Sequence, residues 1–184
     1  GGPYPGPWED GSGPPNPDPY HAAAIGYRAA ASNSVASAGT SLAITKPSGT
    51  VTGDVMVASV AFRPSTATIT PPSGWTLIRS TTQTSGSTAV VNSYYKIATS
   101  SEGSSYTWTL GNAPTGGAGG IATFYNVSSC STVDVESGQL NNTSSVSQPA
   151  PSLTTTASGD VLITTHAFPS SATWSPPAGM TEVV

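Results

Sequence analysis

Residues 53–62 read GDVMVASVAF, and this stretch is the clearest indication of the fold in the sequence. A Gly-Asp pair typical of a turn leads directly into a nearly continuous apolar run from Val55 to Phe62. A short run of this kind, rich in valine and bounded by turn residues, predicts a strand that is covered on both faces. Asp54 holds a turn position, where an aspartate commonly caps its own backbone. The stretch therefore favours a turn followed by the central strand of a sheet.

The same pattern returns further along the chain. GDVMV at 53–57 is matched by GDVLI at 159–163, and PPSGWT at 71–76 is matched by PPAGMT at 176–181. Asp160 thus repeats Asp54, and Phe168 repeats Phe62 at the same spacing. Such an internal repeat indicates related structural units. Two readings stay open: two pseudo-symmetric parts of one sandwich, or a second sandwich with few strands in this chain.

Around this repeat, short runs of alternating or continuous apolar residues are separated by turn signals. This spacing is typical of a β-sandwich. The predicted strands cover 41–45, 75–78, 89–98, 106–110 and 121–125. Ser85–Ser87 is predicted as a hairpin turn and Gly116–Gly120 as a loop. The fold class is therefore all-β, an Ig-like or jelly-roll β-sandwich, one large or two pseudo-repeated, with an extended Pro-rich N-terminal segment.

The composition excludes several classes of protein. Only 8% of the 184 residues are charged, the formal net charge is -4, and serine and threonine together occupy 55 positions. Five Lys+Arg residues give no basic footprint for nucleic acid, so no nucleic-acid partner is expected. No apolar run approaches the roughly 20 residues that span a bilayer, so no membrane span is expected. Cys130 is the one cysteine in the sequence, so no disulfide forms within it.

The N-terminal region differs from the rest. Residues 1–20 hold seven of the 17 prolines, which predicts polyproline II or irregular structure. We divide the chain into an extended Pro/Gly- then Ala/Ser-rich linker or donor segment at 1–38, a first β-sandwich unit at 39–127, and a second, repeat-related and incomplete β unit at 128–184. The Ala/Ser-rich stretch 21–38 is predicted to serve as a donated strand. The side chains expected to anchor the segment on a neighbouring copy are Tyr4, Trp8, Tyr20, Ile25 and Tyr27.

Catalytic machinery is hard to find in this sequence. Asp134 and Glu136 fall on one face of a predicted strand and could act as paired carboxylates or bind a cation, although solvated polar positions are the favoured reading. His21 and His166 are isolated, which makes a metal site weak. No catalytic, cofactor-binding or metal-ligating residue is assigned, no cofactor is expected, and the protein is predicted not to be an enzyme.

The aromatic residues allow a binding hypothesis. Trp75 and Trp108 lie in strand patterns and are assigned to the core, whereas Trp174, Tyr94 and Trp8 are candidates for stacking on a sugar. Asparagines within N-x-Ser/Thr patterns are candidate glycosylation sites, namely Asn126, Asn141 and Asn142.

Several of these motifs carry a resemblance. The series PSGTVTGDVMV at 47–57, PPSGWTLI at 71–78, YYKIA at 94–98 and YTW at 106–108 resembles bacterial secreted Ig-like or jelly-roll β-sandwich modules of surface and fibre proteins. The Pro-rich N-terminus is similar in composition to the N-terminal linkers of pilus-like filament subunits, which dock in a groove of the next subunit. The resemblance implies an extracellular or cell-surface location.

We therefore expect a structural subunit of an extracellular helical filament, a pilus-like fibre. Copies of the chain would assemble head to tail by docking the N-terminal segment onto the neighbour, because heterologous contacts of this kind generate open polymers. The alternative is a carbohydrate-binding or adhesin module of a secreted surface protein. The expected partners are thus copies of the chain itself and, under the alternative, glycans.

Overall fold

The computed structural model describes residues 23–35, 39–112, 114–143, 145–168 and 173–183. All regular structure in this part of the chain is β, in eight strands: β1 Gly26–Val35, β2 Ser41–Thr45, β3 Val55–Arg63, β4 Thr68–Thr70, β5 Thr76–Gln83, β6 Ala89–Ile97, β7 Ser105–Gly111 and β8 Gly116–Tyr125. A search of the described ranges for a helix long and apolar enough to cross a membrane finds none.

The strands form two antiparallel sheets. One has five strands in the order β1-β8-β3-β6-β5, and the other has three in the order β2-β7-β4. Side chains from both sheets meet in one core cluster, to which β3 contributes Met56, Val60 and Phe62 and β2 contributes Leu42 and Ile44. The prediction of an all-β protein with a sandwich-like core is thereby confirmed.

Aromatic rings fill the middle of this core. Trp108 on β7 is fully buried, with its ring centroid 5.3 Å from that of Trp75 and 6.3 Å from that of Tyr94. The two tryptophans were assigned to the core from their strand patterns, and the structure confirms both. Tyr94 was instead a candidate for stacking on a sugar. That prediction is wrong, because β6 alternates Val90, Asn92 and Tyr94 inward and leaves Tyr94 only 2% exposed.

Strand β3 lies at the centre of the larger sheet. It pairs antiparallel with β6 on one edge and with β8 on the other, so its backbone groups are bonded on both sides. Val55, Met56, Ala58 and Val60 are all buried. The other face of the strand, with Val57, Ser59 and Ala61, is only half-buried, so β3 is enclosed on one face and both edges rather than on both faces as predicted.

Strand β8 corrects another prediction. Gly116–Gly120 was expected to be a loop, but it is the first half of β8 and pairs with β3 and β1. A Cβ atom on Gly119 would lie 2.8 Å from the carbonyl oxygen of Ser59 and 3.2 Å from Cδ1 of Ile44. Glycine is therefore required here, because the backbone of β8 lies close both to its neighbour β3 and to β2 of the other sheet. Close approach of this kind is a recognised reason for glycine inside a strand.

Strand β1 is formed by residues from the predicted linker or donor segment. It lies at the edge of the larger sheet and pairs with β8 of its own chain, from Gly26 opposite Tyr125 to Val35 opposite Gly117. The expected strand in this stretch is present, and its partner in this structure belongs to the same chain. The register shifts at Arg28, as in a β-bulge, a feature that commonly re-aims a side chain.

The region from 128 onwards is different. None of the described residues between Tyr125 and the end of the chain joins a strand. The division into units at 38/39 and 127/128 stays a prediction, as does a second β unit at 128–184. What the structure does show is that the repeated motif stands in two contrasting environments.

Candidate functional site

The predicted interface residues fall into two groups. Tyr4, Trp8 and Tyr20 lie outside the described residues. Ile25 is half-buried just before β1, and Tyr27 is 46% exposed and packs edge-on against Phe124, with ring centroids 5.9 Å apart at 62°. An exposed aromatic residue therefore stands at the beginning of the edge strand.

An apolar groove opens beside Tyr27, which we call the C-terminal groove. It has a volume of about 170 Å³. The residues that line it come from β1, from β8 and from the C-terminal region: Tyr27, Phe124, Val161, Leu162, Ile163, Thr164, Met180, Thr181 and Val183. Within it, Val161, Leu162 and Ile163 are exposed by 43%, 60% and 42% respectively. Three consecutive exposed aliphatic side chains are unusual for a surface, where such residues are normally scattered singly.

The turns around the exposed segment repeat those around β3 in backbone conformation as well as in sequence. The glycines that precede the two copies, Gly53 and Gly159, have φ angles of 90° and 85°. The second repeated turn agrees too: Trp75 N donates to the Pro72 carbonyl and Met180 N donates to the Pro177 carbonyl, at 3.4 and 3.1 Å. Local turn structure is thus the same in both copies. Strand pairing and burial occur only in the first.

The aspartate of the repeat also meets different partners. Asp54 is buried, accepts the backbone N–H of Val51 at 2.9 Å and forms a two-pronged ion pair with Arg28, whose Nε and Nη2 lie 2.7 and 3.0 Å from its oxygens. The expected turn-capping role of Asp54 is confirmed. Arg28 also lies 4.9 Å from the ring centroid of Tyr125. The ion pair fastens the edge strand β1 to the turn that begins β3.

In the second copy a carboxylate takes the place of that arginine. Asp134 precedes Asp160 by 26 residues, as Arg28 precedes Asp54, and the two aspartates interact. Desolvation raises the pKa of Asp160, and the negative charge of Asp134 and the hydrogen bond between the two side chains raise it further. Hydrogen bonds from the hydroxyl and backbone N–H of Thr156 lower the pKa of Asp134. The second turn therefore lacks the cation that neutralises the first.

The candidate acid pair Asp134 and Glu136 is divided between separate partners. Asp134 binds Thr156, whereas Glu136 forms an ion pair with Arg79 of β5 at 2.8 Å. Arg79 also donates to the Gly138 carbonyl at 3.2 Å. These contacts tie residues 136–138 to the edge of the larger sheet. The described residues hold no group of three or more side chains of the kinds that ligate metals.

The most enclosed charged cluster joins β6, β7 and the loop between them. Glu102, nearly buried, accepts from Lys96 Nζ and from the Tyr106 hydroxyl, both at 2.8 Å, and from Thr99. Burial alone would raise the pKa of Glu102, but these donors outweigh it and lower the pKa to about 2. Burial, followed by the bond to Glu102, raises the pKa of Tyr106. The cluster is internally satisfied, so its chemistry is that of a structural clamp.

An aromatic stack near the C-terminus is present in the structure and was not predicted from the sequence. His166 lies against Trp174 with ring centroids 4.2 Å apart at 26°, and Phe168 lies 6.4 Å from Trp174. Trp174 is half-buried. Of the three candidates for sugar stacking it is the one that is described and is not in the core cluster, since Tyr94 is in the core and Trp8 lies outside the described residues. The sequence places aromatic side chains at positions 166, 168 and 174, which indicates a cluster, but this spacing does not specify which rings stack.

The candidate glycosylation sites lie on the surface. The side-chain amide of Asn126 donates to the Ala24 carbonyl at 3.0 Å, and that of Asn141 donates to the Pro149 carbonyl at 3.2 Å. Asn142 is exposed, and so is the thiol-bearing Cys130.

Comparisons with known proteins add no relative. No protein-family model, no curated protein and no solved structure matches the chain. Any functional conclusion therefore depends on the geometry described above.

Proposed function

We propose that the protein is a structural subunit of an extracellular filament, built on an Ig-like or jelly-roll sandwich and assembled head to tail through its N-terminal segment. The observation that supports this function is the exposed segment Val161–Ile163 of the C-terminal groove. Its counterpart in β3 is buried and paired on both edges. An exposed apolar segment with the side chains of a strand, but outside both sheets, is a surface on which a strand of another chain can add.

The N-terminal segment provides the complementary element. Its described part, β1, is already a strand and lies at the edge of its sheet. Most of its side chains are small, and Ala31 and Val35 are the ones packed against the core. Such a strand depends mainly on backbone pairing and on the Arg28–Asp54 ion pair. The same element can therefore close onto its own β8 in an isolated copy and pair with a neighbour in a filament, as in domain swapping.

The direction of this contact favours an open polymer. The donating surface is at the N-terminal end of the chain, and the receiving surface includes residues 161–163 and Met180. Tyr27 of β1 also lines the groove, but the two surfaces otherwise consist of different residues, and a contact between different surfaces leads to filaments when the rotation does not close. A composition rich in serine and threonine and poor in charge fits a location outside the cell.

The experiment compares assembly of three proteins by negative-stain electron microscopy: the full chain, Leu162→Asp, and the control Leu77→Asp. Leu77 lies on the edge strand β5, is 51% exposed, and is not among the residues that line the C-terminal groove. We expect regular fibres from the full chain and the control, and discrete particles from Leu162→Asp. Discrete particles from the full chain, or unchanged fibres from Leu162→Asp, would contradict the proposal.

A further inference from the structure

A second cavity lies away from the C-terminal groove, and we call it the Trp174 cavity. Its volume is about 390 Å³, which falls in the range of small-ligand sites. Its lining combines an indole with proline rings, hydroxyl groups and an amide: Trp174, Pro149, Ser147, Gln148, Thr173 and Ser175 are the residues that matter for recognition. None of the described residues that line it is charged.

The indole of Trp174 is stacked against the imidazole of His166. His166 stacks on one face of the indole and does not itself line the cavity, which Trp174 does. Burial lowers the pKa of His166, which keeps the imidazole neutral at physiological pH. The aromatic platform is therefore stacked, half-buried and uncharged.

The polar groups around the platform are also oriented. Gln148 donates through Nε2 to the Ser145 carbonyl at 2.9 Å, which fixes the amide and leaves its oxygen as an acceptor. Ser147 and Ser175 add hydroxyl groups that can both donate and accept. A ligand that fits has an apolar face for the indole and hydroxyl groups around its rim.

We infer that the Trp174 cavity binds a neutral pyranose unit of a glycan. The C–H face of the ring would lie on Trp174, and its hydroxyl groups would bond with Gln148, Ser147 and Ser175. An uncharged lining offers no partner for phosphate or carboxylate groups, and the net charge of -4 disfavours anions further. This inference is independent of the filament function.

A Pro-rich peptide is the competing occupant, because such peptides dock in grooves lined by aromatic residues. Residues 1–20 of this chain are rich in proline. They are the less favoured ligand, since Glu9, Asp10 and Asp18 would meet no cation in the lining. Proline rings also lack the donors that would pair with the Gln148 oxygen.

Isothermal titration calorimetry on the full chain tests the site with four probes: cellohexaose, maltohexaose, N-acetylchitohexaose and a synthetic peptide of residues 1–20. We expect saturable binding of at least one oligosaccharide. Trp174→Ala should weaken it about tenfold or more, whereas Trp174→Phe should keep it within about threefold. Tyr95→Ala, which removes a half-buried aromatic residue on β6, is the matched control and should bind as the full chain does.

Three results would overturn the inference: no oligosaccharide binding, oligosaccharide binding that survives Trp174→Ala, or binding of the peptide alone. Far-ultraviolet circular dichroism of each variant checks that the sandwich is intact. Because Trp174 does not line the C-terminal groove, fibre formation by Trp174→Ala reports on the filament separately. Loss of sugar binding with intact fibres, or the reverse, therefore distinguishes failure of one proposal from failure of the other.

Discussion

Residues 53–57 and 159–163 begin with the same Gly-Asp turn and continue with the same kind of apolar run. The first copy is the central strand of a five-stranded sheet, and the second is exposed chain outside both sheets. Their glycines nevertheless share a positive φ, and the turns that follow share a hydrogen bond. The difference shows that local sequence determines the turns, whereas strand pairing and burial depend on what the rest of the chain places alongside.

The largest difference should appear when equivalent apolar side chains are truncated. Met56 is fully buried and Leu162, its repeat counterpart, is 60% exposed. Met56→Ala should lower the free energy of unfolding by about 2–5 kcal/mol, and Leu162→Ala by less than about 1 kcal/mol. Urea denaturation of both variants measures this. Equal losses would show that the second copy is packed as the first is.

Acid should destabilise the sandwich around the first copy through Glu102, in the loop between β6 and β7. The pKa of Glu102 is about 2 in the fold against an ordinary 4.5, so its carboxylate stabilises the protein above pH 4.5 and this stabilisation is lost as the pH falls towards 2. The loss should reach about 3 kcal/mol. Urea midpoints between pH 6 and 2 should fall steeply for the full chain and less for Glu102→Gln. A parallel decline would contradict the assigned role of Glu102.

The two aspartates of the repeat should respond in opposite directions. Asp54→Asn weakens a bidentate ion pair and a turn cap, and should cost about 1–3 kcal/mol. Asp160→Asn removes one of two interacting carboxylates, and because the fold raises the pKa of Asp160, its charged form is disfavoured there. That variant should be neutral or slightly stabilising at pH 7. Thermal unfolding compares them, and destabilisation by Asp160→Asn would show that the second turn needs its charge.

The smallest effect concerns the turn glycines. A Cβ atom at Gly53 or Gly159 meets nothing within 4 Å, so only the positive φ opposes substitution. Gly53→Ala should cost about 1 kcal/mol. Gly159→Ala should cost less, because no sheet holds that turn in place. Differential scanning calorimetry of both variants resolves this, and the ranking fails if Gly159→Ala costs more.

Much of the fold could be predicted from the sequence. The expected strand 41–45 coincides with β2, and β3, β6 and β7 agree within one residue at each end, because their alternating or continuous apolar patterns are distinct. The first half of β8 could not be predicted in this way. Its residues are nearly all glycine, so there is no side-chain period to read, and the requirement for glycine comes from backbone packed against it.

The candidate sites were less predictable. Alternation along β6 separated Tyr94 from Tyr95 correctly, but a period of two does not tell which face is buried. The pairing of β1 with β8 and the stacking of His166 on Trp174 depend on tertiary placement. Local patterns carry no information about such contacts. The shortage of predicted strands after residue 128 was the one signal in the sequence that the second copy of the repeat lacks strand partners.

The pairing of β1 with β8 has a consequence for folding during synthesis. Gly26 lies opposite Tyr125, so the chain up to Tyr125 must leave the ribosome before the edge strand β1 can be fully paired. Until then the backbone N–H and C=O groups of β1 lack their partners on β8. Closing the long loop between the two strands is slow. During this interval the N-terminal strand can pair with a neighbouring chain. The close spacing of nascent chains on a polysome would favour pairing of β1 with β8 of another copy at that stage.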